Sequence, residues 1–188
     1  MGRCIILVAM LCAVGAPAWS QTTPDLDADP VAWLKRSLGG AACVAYEAGP
    51  SPQRMERITE NTEVQFDGCR MVLQQAAAYG PHTEVRTFAV PLATLDATSI
   101  TLRPWSGLPE GWTSAGDVPA DVISLTVPDG QALIESRFET FTGLAPTTSR
   151  TRNVEILVLH KDSARQIVRA LTLAVEACRR SSVRPTTR

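Results

Sequence analysis

The side chains of this chain with chemistry of their own are few and scattered. They are Cys43, Cys69 and Cys178, His82 and His160, an alternating Asp25, Asp27 and Asp29, and Trp105 and Trp112 within a Gly- and Pro-rich stretch over residues 104–119. The cysteines form no CxxC and no Cys/His cluster, so the spacing of a structural zinc site is absent. Histidine is the side chain that titrates near neutrality, but His82 sits at a turn beside Pro81 and Glu84, and His160 lies between a strand and the final helix. Neither neighbours a nucleophile, and a solvated or structural role is expected for both. The aspartates offer too few oxygens, and no Gly turn, for a calcium loop; they suit a solvated lead that favours a helix N-terminus. Gly39-Gly40 is read as a helix stop, because a phosphate-binding loop needs a following Lys-Ser/Thr. No metal and no cofactor is expected. Trp105 and Trp112 are the best candidates for a ligand-binding surface, since aromatics outside a clear strand can stack on a sugar, a peptide or a partner's apolar pocket. The alternative is that both rings fold back over the end of a sheet.

The compartment follows from the first twenty residues. Arg3 is a short positive region, Cys4 to Val14 an apolar run, and Ala18-Trp19-Ser20 a small-residue cleavage signal, which together read as a secretory signal peptide with the mature chain starting near Gln21. The apolar run of about 11 to 14 residues falls short of the roughly 20 that span a bilayer, so no stable membrane insertion is expected after cleavage. Cys12 follows Met10 and Leu11, not the small residues a lipoprotein signal needs. The location implied is secreted or periplasmic. About 168 residues then remain, enough for one domain with its own core. The whole chain has 18 basic and 19 acidic residues, without a long block of either sign. Nucleic acid, which needs a basic face, is not an expected partner.

The chain must position these residues with a few recognisable elements. Residues 21–28 read as a flexible lead. Asp29-Pro30 starts a short helix, since Asp caps free amides and Pro needs none at the first position; Val31, Trp33, Leu34 and Leu38 give it an apolar side. Ala41 to Tyr46 is apolar but ambiguous. From about residue 58 the pattern becomes strands cut by turn residues: Ile58 to Phe66, an Asp67-Gly68 hairpin, an alternation of Cys69, Met71 and Leu73, then strands near 85–90, 100–103, 122–127, 132–141 and 154–159. No helix-length crossover separates these seven, which favours an antiparallel meander. A clear amphipathic helix closes the chain. Ser163 and Gln166 are read as its capping box, and Ala164, Ile167, Val168, Leu171, Ala174, Val175 and Cys178 as its apolar face. Residues 181–188, with the arginines around them, read as a solvated tail.

Cys69 and Cys178 therefore both face the core, and they are the favoured disulfide. The bridge would close a loop of about 110 residues, worth about 4 kcal/mol in the chain-entropy view. A Cys43–Cys69 bridge, or three unbridged small core residues, are the alternatives.

Seven consecutive strands over Ile58 to Leu159, followed by one helix over Ser163 to Arg180, resembles the order of elements in pleckstrin-homology-like domains. The resemblance covers about 120 residues, roughly 58–180, and lies in topology, with no sequence motif behind it. It implies two orthogonal antiparallel sheets with the last helix plugging one open end. The Asp67-Gly68 turn lacks the Lys/Arg-rich loop with which the lipid-binding members grip phosphoinositides, so that activity does not carry over.

The expected architecture is mainly β (α+β): a single domain over 29–180, built as a seven-stranded antiparallel sandwich or partly open barrel with a short N-terminal and a capping C-terminal helix. The expected function is an exported, non-enzymatic binding or interaction module for a protein or small molecule, acting as a monomer or weak oligomer. The other classes are an enzyme whose site assembles only in the fold, from a histidine and a carboxylate, and an envelope assembly factor that associates through a strand edge.

Overall fold

The computed structural model describes residues 25–38, 43–48, 56–79, 82–107, 112–114, 121–140 and 145–183. The expected signal peptide, the start at Gln21, Gly39-Gly40 and the last residues of the tail lie outside them. Helix α1 (Pro30–Leu38) begins as the sequence requires, with Asp29 Oδ1 accepting the Ala32 amide at 2.9 Å. Its Trp33, Leu34 and Leu38 are buried. Ahead of it, Asp25 to Ala28 form a turn in which Asp25 Oδ1 accepts the Asp27 amide at 3.0 Å, the Asp29 amide donates to the Asp25 carbonyl at 2.9 Å, and Leu26 packs on the core. These residues of the expected lead are thus folded onto the domain.

Ten strands follow among the described residues: β1 (Cys43–Ala48), β2 (Glu56–Asp67), β3 (Arg70–Tyr79), β4 (His82–Pro91), β5 (Ile100–Pro104), β6 (Trp112–Ser114), β7 (Asp121–Thr126), β8 (Ile134–Thr140), β9 (Thr147–Thr151) and β10 (Asn153–Val158). They build a seven-stranded sheet in the order β6-β1-β2-β3-β4-β8-β9 and a three-stranded sheet in the order β10-β7-β5. The protein is therefore an antiparallel α+β sandwich with two helices, and neither sheet closes into a ring. All seven expected strands are present, as β2, β3, β4, β5, β7, β8 and β10. The count is short by β1, β6 and β9. β6 and β9 are the edges of the large sheet and β1 lies beside β6; β6 has only three residues, and β9, exposed on both faces, has no one-sided burial to write an alternation into its sequence.

The meander is local only. β1 to β4 pair in succession, but β4 then pairs with β8, and β7 lies between β5 and β10. Two short 3₁₀ turns, Leu92–Thr94 and Ala97–Ser99, carry the chain from the large sheet to the small one. The β2–β3 turn also sits one residue later than Asp67-Gly68 suggests: Asp67 pairs with Arg70, leaving Gly68 and Cys69 as the loop. Gly68 has φ 53°, the left-handed region where glycine costs least, at the first central position.

Register explains where the core lies. Val64, Leu73, Phe88 and Ser136 form one row across β2, β3, β4 and β8, and all four are buried. The adjacent row holds Met71 and Val90, both fully buried, with Phe66 packed beside them. The small sheet adds Ile123, Leu125, Val154, Ile156 and Val158. Against it lies helix α2 (Lys161–Val183), whose Ala164, Ile167, Leu171, Ala174, Val175 and Cys178 are buried as the helical period demands. Each fully buried Leu or Ile here contributes roughly 1.5–3 kcal/mol.

One feature of α2 differs from expectation. It starts at Lys161, with the Ala164 amide donating to the His160 carbonyl at 3.0 Å, so Ser163 lies inside the first turn and is not the cap. The favourable charge at this end comes from Asp162. At the other end the helix runs on to Val183, and Ser181 and Ser182 donate back to the carbonyls of Ala177 and Arg179 at 3.0 and 2.8 Å. The expected solvated tail is helical to that point.

Candidate functional site

Trp105 follows directly after β5, an edge strand of the small sheet, and Trp112 is the first residue of β6, an edge strand of the large sheet. Trp105 and Trp112 thus lie on strands, or next to strands, that end the two sheet orders among the described residues. Trp105 is half-buried, so its ring is neither sealed in the core nor displayed on a free loop. Trp112 does not lie outside the strands as expected: its backbone pairs with Ala48 on β1. A three-residue edge strand is too short for its alternation to be readable.

The structure assembles a polar group on the small sheet, which Arg103, two residues before Trp105, helps to build and which sequence reasoning missed. Ile123 and Leu125 on β7, and Val154, Ile156 and Val158 on β10, point to the core, so the alternating Ser124, Glu155 and Arg103 belong to the opposite face of the small sheet. There the Arg103 guanidinium meets Glu155 Oε1 at 2.9 Å, bracing β5 to β10 across β7, while Ser124 Oγ reaches the same oxygen at 3.5 Å. Gln75 Nε2 on β3 donates to the Glu155 carbonyl at 2.8 Å, which ties this border of the small sheet to the large one. The ion pair is about half exposed, so its net value to stability is small, about 0–1 kcal/mol. Its partners are 52 residues apart; no local spacing could have announced it. In the row beyond the core, Gln75 is followed by Arg86 and Phe138, with the Arg86 guanidinium 5.3 Å from the centre of the Phe138 ring. A partly exposed Arg–Glu pair offers directed hydrogen bonds to a ligand, and an aromatic nearby along the chain offers stacking.

The cysteine expectation is met in geometry. Cys69 and Cys178 form a disulfide with their Cα atoms 5.5 Å apart, joining positions 109 residues distant. Cys69 is half-buried in the β2–β3 turn and Cys178 buried on α2, so the bond fastens the last turns of the helix to the large sheet. The Cys69 carbonyl also accepts the Leu92 amide at 2.8 Å, fixing the chain where it leaves β4. The Cys43 side chain lies outside what is described; its backbone opens β1.

The remaining candidates lie apart from one another where they are described. His82 is the first residue of β4, not part of the turn. His160 is exposed at the start of α2; the buried Asp121 sits opposite Val158, two residues before it, and no ion pair joins them among the described residues. Asp25 and Asp29 accept backbone amides, and Asp27 pairs with Arg169 at 2.7 Å. No cluster of His, Cys, Asp or Glu able to hold a metal occurs among the described residues, and no helix among them is long and apolar enough to cross a membrane. Asp96 has its carboxyl held below the ordinary carboxylate value, first by the Thr98 amide and hydroxyl, each at 2.9 Å, and then by Arg179 on α2 at 3.2 Å. Comparison with protein-family models, with curated proteins and with solved structures gives no match for this chain.

Proposed function

We propose that this protein is an exported interaction module that binds a protein or small-molecule partner at the Trp105 end of the small sheet. The observation that carries this reading is the half-buried Trp105 at the end of an edge strand, two residues from the Arg103–Glu155 pair. On the other face of the same edge strand, in register with Ile123, Leu102 is 37 % exposed, so β5 offers an apolar side chain as well as a charged one. Export is supported by the signal-like first twenty residues and by the Cys69–Cys178 bond, which persists in oxidising compartments. Mass analysis of the protein recovered from the envelope fraction tests export; an intact N-terminus in the cytosol would refute it.

Binding is tested by a pull-down from envelope extract with the mature protein beside a Trp105→Ala/Trp112→Ala variant of matched thermal stability. Partners captured by the wild type and lost in the variant would support the reading. The same set captured by both would move the binding surface elsewhere.

A further inference from the structure

We propose that β9 is a docking edge for an extended acidic segment of a partner protein, which adds to the large sheet as an eighth strand. This surface is separate from the Trp105 border, and the proposal stands on different observations. β9 ends the strand order of the large sheet; β8 pairs with one side of it, and nothing among the described residues pairs with the other. Thr147, Thr148, Ser149 and Arg150 are all exposed and Thr151 half-buried. A strand that buries no side chain is held by its ladder to β8 and contributes nothing to the core.

Exposed edges are normally blunted by Pro, by brevity, by a cover or by a charge such as that of Arg150, which repels a like-charged strand but not an acidic one. Other borders here carry such devices: β5 ends in Pro104, β6 has three residues, and Gln75 reaches over to β10. Pro146 precedes β9, so each residue within the strand keeps its amide donor. The strand is rich in Thr, which suits an extended backbone.

Charge chooses the occupant. Arg70, Arg103, Arg137, Arg169, Arg179 and Arg180 each meet a carboxylate, whereas the exposed Arg150 and Arg152 form no ion pair among the described residues. Glu135, directly across the ladder from Arg150, is already bonded to Arg70 at 2.9 Å. A second copy pairing edge to edge would bring like-charged arginines together. A strand with a carboxylate opposite Arg150, and a second one reaching towards Arg152 in the bend that follows β9, complements the charge of this edge.

The test uses the mature protein and the fluorescein-labelled pentapeptide TEVET, with TKVKT as the charge control and TEVET N-methylated at alternate residues as the backbone control. Fluorescence anisotropy should show TEVET binding that weakens with salt, at least tenfold tighter than either control. An Arg150→Glu/Arg152→Glu variant, both sites being exposed, should lose at least tenfold in affinity with an unchanged near-UV spectrum. Equal binding of the N-methylated peptide would overturn strand addition in favour of a diffuse basic patch. No binding of TEVET, or concentration-dependent dimerisation that the double variant abolishes, would overturn the acidic partner itself.

Discussion

β9 and β10 are joined by the single residue Arg152, yet they belong to different sheets and to different kinds of structure. β10 reads Asn-Val-Glu-Ile-Leu-Val, with Val154, Ile156 and Val158 buried against α2 and the other side turned away from the core. β9 reads Thr-Thr-Ser-Arg-Thr and buries none of its side chains. The first is held by the core it helps to build; the second is held by a neighbour's backbone. At the switch between them the Arg152 carbonyl accepts the Val127 amide at 2.8 Å, and Thr151 Oγ1 donates to the Asn153 carbonyl at 3.1 Å, so the crossing is pinned even though the strand before it is not. Adjacency in the chain thus says little about shared stability, because stability follows what each residue covers.

The largest test of the core side is the bond that locks α2. A Cys69→Ser/Cys178→Ser variant should lose about 4 kcal/mol of unfolding free energy, close to the chain-entropy value for a loop of this length, read as a lower urea midpoint under non-reducing conditions. A variant as stable as the oxidised wild type would mean that packing alone seats the helix. Next comes Ile156→Ala on β10, where a fully buried side chain is truncated; a loss of about 3 kcal/mol is expected. An effect below 1 kcal/mol would show that this strand is not part of the rigid core.

The same contrast explains what could be read without coordinates. α2 was legible because Ala164, Ile167, Leu171, Ala174 and Cys178 repeat at helical spacing and all of them meet the core. That periodicity also placed Cys178 inward, from which the pairing with Cys69 followed. β10 and β3 were legible from alternation. β9 was not, because five polar residues that bury no side chain look the same in a strand as in a loop. The Ser163 capping box failed for a local reason: the helix took His160 and Lys161 as its start, and nothing in the spacing of Ser163 and Gln166 forbade one further half-turn. The polar group on the small sheet was illegible in principle. Arg103, Ser124, Glu155 and Gln75 come from four strands, and only the register brings them together.

On the exposed side the expected effects are small. Thr148→Ala on β9 should change stability by no more than about 0.5 kcal/mol, six-fold less than Ile156→Ala one strand further on. Hydrogen exchange should show the β9 amides opening far more readily than those of β10. Protection of β9 equal to that of β10 in the isolated protein would mean that its outer edge is already covered, and would remove the reason for a partner there.

The rim of the core offers the finest discrimination, through pH. Asp96 caps the second 3₁₀ turn and meets Arg179 on α2, and its carboxyl lies below the ordinary value of 3.8, chiefly because the Thr98 amide and hydroxyl donate to the charged form. A carboxylate whose folded value is depressed binds fewer protons folded than unfolded, so the stability it contributes is complete above the unfolded value and is lost as pH falls towards and through the folded one. The urea midpoint of an Asp96→Asn variant should therefore lie below that of the wild type at pH 7, and the gap should narrow as the pH is taken below 3.8. Thr148→Ala on β9 removes no charge and should show a gap that does not vary with pH. If the Asp96→Asn gap stayed constant as well, the contribution of Asp96 would be the shape of its turn and not the charge it presents to Thr98 and Arg179, and the helix would be anchored at this end by its buried side chains and Cys178, with no electrostatic share.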